Sequence, residues 1–383
     1  MTDPAPVQAV APSTRAGGAD IRQLLVDSAR QLFESQHRSA RIKLNAAPAQ
    51  PFDAQLWRQM AELGWLAIAL PEALQGSNLG LACAGALAEQ FGRSRVPEPF
   101  IACGLMPAAL CGGLPGTPAR DAIAADLLSG DALWTLAWQE HAGRVDTRNC
   151  ETRLSADGRL AGHKVFVPNT DLANGILVLA GGGEPALVLV RKGTPGLQMD
   201  THPTTDRNTR AHLQFHAVPV EEVLVTGQSA VALVNEAVEA ATLASAAFQT
   251  GLAESVLEQV LAHLRSRVQF GRPLGTLQTL QHRAANLYML NQVARASWHC
   301  AAERWDAAPG SATACAAISA AKARAAQAAL DTAQAAVQLL GGLGFAEEAE
   351  AGLALRLAML HSSWLGGRRH HLRRFAELLE RSA

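Results

Sequence analysis

Two short turns in this chain carry residue types that grip a dinucleotide. In RVQFGRPLGTLQTLQHRAAN, Arg267 closes a helical stretch and is followed by Phe270 and Gly271, with Gln278 and Gln281 just beyond. A guanidinium at that place offers a fork of donors to a pyrophosphate, and the phenyl ring offers a face to a nucleotide base. In QLLGGLGF, Gln338 precedes Gly341, Gly342 and Gly344, and the Gly-Gly pair lets backbone N–H groups approach phosphate oxygens. No G-x-G-x-x-G follows a strand in a βαβ setting, so a Rossmann site is not indicated. Taken singly, each turn also reads as an ordinary interhelical connection, and Arg267 as a surface cation. Together and in this order they favour a nucleotide site.

A third stretch, LRLAMLHSSWLGGRRHHLRRF at 355–375, gathers glycine, histidine and arginine, yet Leu353 to Arg374 contains no carboxylate. His361 is a titratable group there whose ordinary pKa suits a general base, and it precedes Leu365 by four residues, one helical turn. The alternative for His361 is a packing or solvent-facing side chain. His370 and His371 project about 100° apart on a helix and lack the i, i+4 spacing of a metal pair. With Arg368, Arg369, Arg373 and Arg374 they read as a basic helix end near phosphates. Six cysteines (Cys83, Cys103, Cys111, Cys150, Cys300, Cys315) are scattered without a C-x-x-C pair, so they read as buried thiols and no metal site is expected.

These residues need elements to hold them. Along 383 residues we expect a disordered N-terminal tip (1–20), a helical domain (21–129), a middle β domain (130–227) and a C-terminal helical bundle (228–383). The helical parts show apolar spacings of three and four. The middle part shows short strands split by Asp-Gly and Gly-Gly turns. Alanine-rich helices follow, broken at FGRPLG, DAAPGSA and LLGGLGF, and small side chains allow close helix packing or an oligomer interface. A formal net charge of −1 argues against nucleic acid and anionic lipid, and no run has the length for membrane insertion. The expectation is a soluble cytoplasmic protein.

The two turns, the terminal segment and LWRQMAELGWLAIALPEALQGSNLGL near the N-terminus, in this order, resemble the acyl-CoA dehydrogenase family over nearly the whole chain. The resemblance implies an α+β multidomain fold: an N-terminal helical domain, a middle β-barrel or sandwich and a C-terminal four-helix bundle. It implies FAD bound between subunits, with Arg267, Phe270 and Gln278 of one chain acting with Gln338, Gly341 and Gly342 of a neighbour. It also brings WQEHAGRVD and HKVFVPN to the flavin ring. Gln139, Glu140, Asp146, Lys164 and Asn169 suit that role. Gln139 stands for a threonine, Val145 for a serine, Phe166 for a tryptophan and Pro168 for a second threonine. Phe166 can still stack, whereas Pro168 has neither hydroxyl nor N–H to donate. Plain β-sheet core is the other reading of these strands.

In the family a glutamate takes the α-proton of an acyl-CoA thioester while hydride leaves the β-carbon for FAD. The resemblance puts Leu365 at that glutamate and Gly367 at the threonine after it. A minority of members place the base on the first bundle helix, here Ala241, with Thr242 for the following arginine. Glu239 is two residues away, about 200° around a helix, and is expected to point elsewhere. The tail is similar to small subunits of bacterial two-subunit enzymes of the pimeloyl-CoA or steroid side-chain type. The implied function is FAD-dependent α,β-desaturation of an acyl-CoA in fatty acid or steroid catabolism. The implied partners are a glutamate-bearing homologous subunit in a heterotetramer or homo-oligomer, and an electron-transfer flavoprotein as acceptor. Two alternatives stand beside it: a stand-alone flavoenzyme with another base or reaction, and a non-catalytic structural partner.

Overall fold

The computed structural model of the protein describes residues 13–34, 52–147, 149–345 and 350–380. Helix α1 (Ser13–Glu34) begins inside the stretch expected to be disordered, which corrects that expectation from Ser13 onward. Residues 1–12 of that stretch lie outside the described residues. The helix gains a tertiary partner: Phe33 meets Trp65 and Phe91 edge-on at 5.7 and 4.9 Å. Docking of an apolar face, more than local propensity, stabilises such a helix.

Helix α2 (Ala54–Glu62) starts at Asp53, whose carboxylate accepts from Gln55 N and Leu56 N at 2.9 and 3.2 Å. Helix α3 (Gly80–Ser94) has no side-chain cap of its own. Asp306 of the distant bundle accepts from Leu81 N and Ala82 N instead, at 2.7 and 3.0 Å. A π-turn (Phe100–Leu105), α4 (Met106–Cys111) and α5 (Pro118–Ser129) complete the helical part, and Gly130 ends it at φ 73°.

Two four-stranded sheets follow. One runs β1 (Trp134–Ala137), β4 (Gly175–Ala180), β5 (Ala186–Arg191), β8 (Glu222–Thr226). Strand β4, and β5 up to its terminal Arg191, are apolar and covered on both faces, as continuous runs such as ILVLA require. The other runs β2 (Arg153–Leu154), β3 (Arg159–Pro168), β7 (Thr209–Pro219), β6 (Leu197–Pro203). Side chains from both, including Leu160, Val167, Ile176, Val178 and Phe215, form the core between them.

The bundle consists of α6 (Gln228–Ser266), α7 (Gln278–Ala307), α8 (Ala312–Leu339), α9 (Glu350–Ser363) and α10 (Arg368–Glu380). Helix α6 is long and apolar enough to cross a membrane, but 83% of its most apolar window is buried inside the protein. It is the core helix. It crosses α3 so closely that a Cβ on Gly251 would sit 1.9 Å from Glu89 O, and one on Gly92 1.9 Å from Phe248 O. Cys83, Cys103 and Cys111 are buried, whereas Cys300 is exposed, which corrects the reading of all six as interior thiols.

Candidate functional site

Arg267 caps α6 in an extended conformation, and Val268–Gln269 pairs with Arg272–Pro273 in a small hairpin. Its turn is Phe270-Gly271, at φ 56° and 74°, and it thrusts Phe270 into solvent at 87% exposure. Arg267, Gln278 and Gln338 are exposed as well. Gly341, at φ 62°, and Gly342 open a 3₁₀ turn, and a Cβ on either would meet nothing within 4 Å. Short turns reverse the chain between α6 and α7 and again between α7 and α8, so the ends of α6 and α8 share one end of the bundle. The structure thus puts both turns at that end, with open space at Gly271, Gly341 and Gly342.

The sheet residues converge differently. Val165 N donates to Gln139 O at 2.8 Å, tying the two expected ring-binding stretches together. Gln139 turns its amide onto His141 O at 3.0 Å. Phe166 lies in a register shift of β3 at φ 55°, half-exposed, with its ring edge-on to His212 at 5.1 Å. A bulge re-aims a side chain, and this one faces Phe166 outward. Pro168 O accepts from Thr135 Oγ1 at 2.6 Å. Behind the strands, Lys164, fully buried, donates to Glu140 at 2.7 Å, and Glu140 also accepts from Thr152 N at 2.9 Å. Burial pushes the Glu140 pKa up, but the Lys164 ammonium and the backbone N–H groups outweigh it and hold it at about 2.

Between the loop at 143–147, α6 and α10 opens a cleft of about 670 Å3. Trp138, Glu239, Thr242, Leu365, His371 and Arg374 line it. Leu365 is 3% exposed, at φ 63°, and presents only methyl groups. Ala241 is fully buried and is not part of the lining. Asn235, Val238, Glu239 and Thr242 share the cleft face of α6 at helical spacing, so Glu239 points away from the direction of Ala241, as its rotation around the helix led us to expect, and lines the same cleft as Leu365. Arg374 binds its carboxylate through both terminal nitrogens and also donates to Ser319 at 2.9 Å. The expected basic helix end is therefore partly internal. His371 is buried, its Nε2 donates to Leu365 O at 3.0 Å, and burial with Lys322 and its neighbours pushes its pKa down to about 3.

His361 does not share a face with Leu365. Helix α9 ends at Ser363, and the left-handed Leu365 and Gly366 (φ 107°) turn the chain. His361 instead lines a separate chamber of about 60 Å3, with Phe248, Trp364, Arg210 and Asn169. Its ring stacks on Phe248 at 4.0 Å, and its Nδ1 meets Ser245 Oγ at 3.2 Å. Lys322, fully buried, donates to Ser245 Oγ at 2.7 Å and to the His361 carbonyl. Sequence reasoning missed Lys322 and Ser245. One signal was present: Lys322 falls four residues after Ile318 and three before Ala325, on a buried apolar face where a solvated lysine has no place.

The family models agree with this architecture. The model of the acyl-CoA dehydrogenase N-terminal domain matches residues 20–112, and that of the C-terminal domain matches 231–379. The chain belongs to the acyl-CoA dehydrogenase family, whose members are oxidoreductases. The acyl-CoA dehydrogenase IpdE2 of Mycobacterium tuberculosis is 30% identical over 276 residues, 72% of this chain and 73% of that one. FadE27 of the same organism is 28% identical over 63% of this chain, which spans 64% of the length of FadE27. Among solved structures, the Tcur3481-Tcur3483 steroid ACAD matches with a TM-score of 0.84 at 29% identity, covering 95% of this chain and 99% of that chain. The ChsE4-ChsE5 complex from Mycobacterium tuberculosis matches at 0.82 and 25%, covering 97% and 99%.

Proposed function

We propose that this chain is an FAD-binding subunit of an acyl-CoA dehydrogenase that works with a related chain bearing the catalytic glutamate. One observation carries the reading: Leu365, which the resemblance puts at the family's base position, is a buried leucine, and Glu239, a carboxylate lining the same cleft, is bound by Arg374. Leucine takes no proton, and although burial raises the Glu239 pKa above the ordinary carboxylate value, both of its oxygens are engaged by Arg374. Likeness to a steroid ACAD and to a two-chain complex supports a paired enzyme of steroid side-chain type.

The residues present suit FAD at its adenosine end. Open backbone at Gly341 and Gly342 leaves room for phosphate oxygens, while Arg267 and the exposed Phe270 ring supply charge and a stacking face. Gln278 and Gln338 flank them, one set facing the other chain's. Gln139 and Phe166 serve the ring end, where Phe166 stacks in place of the family's tryptophan. When bound, FAD supplies the hydride acceptor for α,β-desaturation of the thioester. An electron-transfer flavoprotein is the onward acceptor.

Anaerobic titration of the purified protein with a panel of acyl-CoAs, alone and after co-expression with a glutamate-bearing paralogue, tests the reading. Flavin absorbance is expected to bleach only in the pair, and Arg267→Glu in this chain is expected to lower the flavin content of the pair by at least about tenfold. Bleaching by this chain alone would sink the division of labour.

A further inference from the structure

A lysine with no exposed surface is costly unless a carboxylate meets it, and Lys322 meets none. Its partners are neutral: Ser245 Oγ on α6 and the carbonyl of His361 on α9. Ser245 Oγ in turn reaches His361 Nδ1. The three groups form one line from the interior of the bundle to the wall of the small chamber, and Nδ1 being engaged leaves Nε2 for the chamber.

We propose that Lys322, Ser245 and His361 form a proton relay that exchanges a proton with a chamber ligand at His361 Nε2. The proposal does not rest on flavin being bound to this chain. With Lys322 as an ammonium, Nζ donates to Ser245 Oγ, the Ser245 hydroxyl donates to Nδ1, and Nε2 carries the ring proton. Release runs along the line. The Nε2 proton passes to the ligand or a water, the Ser245 proton moves to Nδ1, and an Nζ proton re-forms the hydroxyl. One proton leaves, and Lys322 ends as a neutral amine that accepts from Ser245. Uptake is the reverse.

The surroundings favour this division of roles. His361 cannot store the proton itself, because burial, the Lys322 ammonium and Arg210 of β7 all push its pKa well down. Lys322 can, since burial alone brings it from 10.5 to about 7. Of the elements packed on α8, α10 presents His371, held neutral, and Arg374, whose charge is met by Glu239. Helix α7 meets α8 through the neutral pair Asn291 and Thr332, at 3.1 Å. The other charged groups of the chamber are Arg95, bound to Glu350, and Glu98 and Asp206. Arg210 Nη1 is buried with no hydrogen-bond partner among the described residues, and it is the donor available to a ligand oxygen. A space of about 60 Å3 suits a group of a few atoms, and the Arg210 donor and His361 ring together favour one that presents an oxygen acceptor and exchanges a proton, a carboxylic acid or an enolisable carbonyl.

The test uses the full chain labelled with 15N-histidine, following the His361 ring nitrogens by NMR between pH 5.5 and 9, with His361→Gln for assignment. In the wild type, His361 is expected to change from the Nε2–H to the Nδ1–H tautomer as pH rises through about 7, without a doubly protonated ring. Lys322→Met is expected to abolish the change. Should that variant fold poorly, Ser245→Ala breaks the line with a smaller perturbation and is expected to hold His361 in one tautomer. A single wild-type tautomer at every pH, or a variant that titrates like the wild type, overturns the relay.

Discussion

At the scale of single residues, the buried Lys164–Glu140 pair joins the two stretches that face the proposed flavin ring. Glu140 spends its oxygens on Lys164 and on the N–H groups of Glu151 and Thr152, which pins the loop at 150–152 to the end of β1. Removing one partner leaves the other charge buried and uncompensated. Lys164→Met is therefore expected to cost about 3–5 kcal/mol in urea unfolding, and a loss under about 1 kcal/mol would show the pair to be dispensable. Cys150 adds little charge there, because burial keeps its thiol protonated at a pKa of about 11.

Among the elements, the α3–α6 crossing joins the N-terminal domain to the bundle and brings Phe248 to the chamber wall. The crossing depends on two glycines whose missing side chains let backbone touch backbone. Gly251→Ala would drive a methyl into Glu89 O, and backbone cannot swing aside as a side-chain tip can. The expected loss is at least about 1–3 kcal/mol, read as a lower thermal midpoint, with Phe248 and His361 displaced together. An unchanged midpoint would mean that the helices separate freely.

For the whole molecule, pH response sums groups of opposite sign. Burial holds the pKa of His371 at about 3 and that of His299 at about 4, below the ordinary 6.5. An unfolded histidine then binds its proton first, so each contribution is lost as pH falls from about 6.5 towards those values. Glu89 acts the other way: burial raises it to about 7, so protonation favours the folded form as pH falls from there towards the ordinary carboxylate range. Comparison with a variant isolates one group. Relative to His371→Gln, the wild type is expected to lose more than about 1.4 kcal/mol between pH 6.5 and 4, the equivalent of one pKa unit. Parallel stability curves would contradict the burial of that ring.

Family and layers were legible in the sequence, as were the two turns proposed to hold the nucleotide, because they depend on local chemistry. Glycine pairs, a Phe-Gly turn after a helix-ending arginine, and periods of two and 3.6 residues act over short spans of chain. The side chains that face one another were decided only by tertiary structure. The rotation of α6 brought Glu239, and not Ala241, into the cleft that Leu365 lines. The left-handed Leu365 sent His361 to a different cavity. Lys322, Ser245 and His361 lie on three helices, 77 and 116 residues from one contact to the next, and no local pattern encodes such a meeting. Helix packing fixes it, because close-packed buried faces of α6, α8 and α9 set which side chains meet across them.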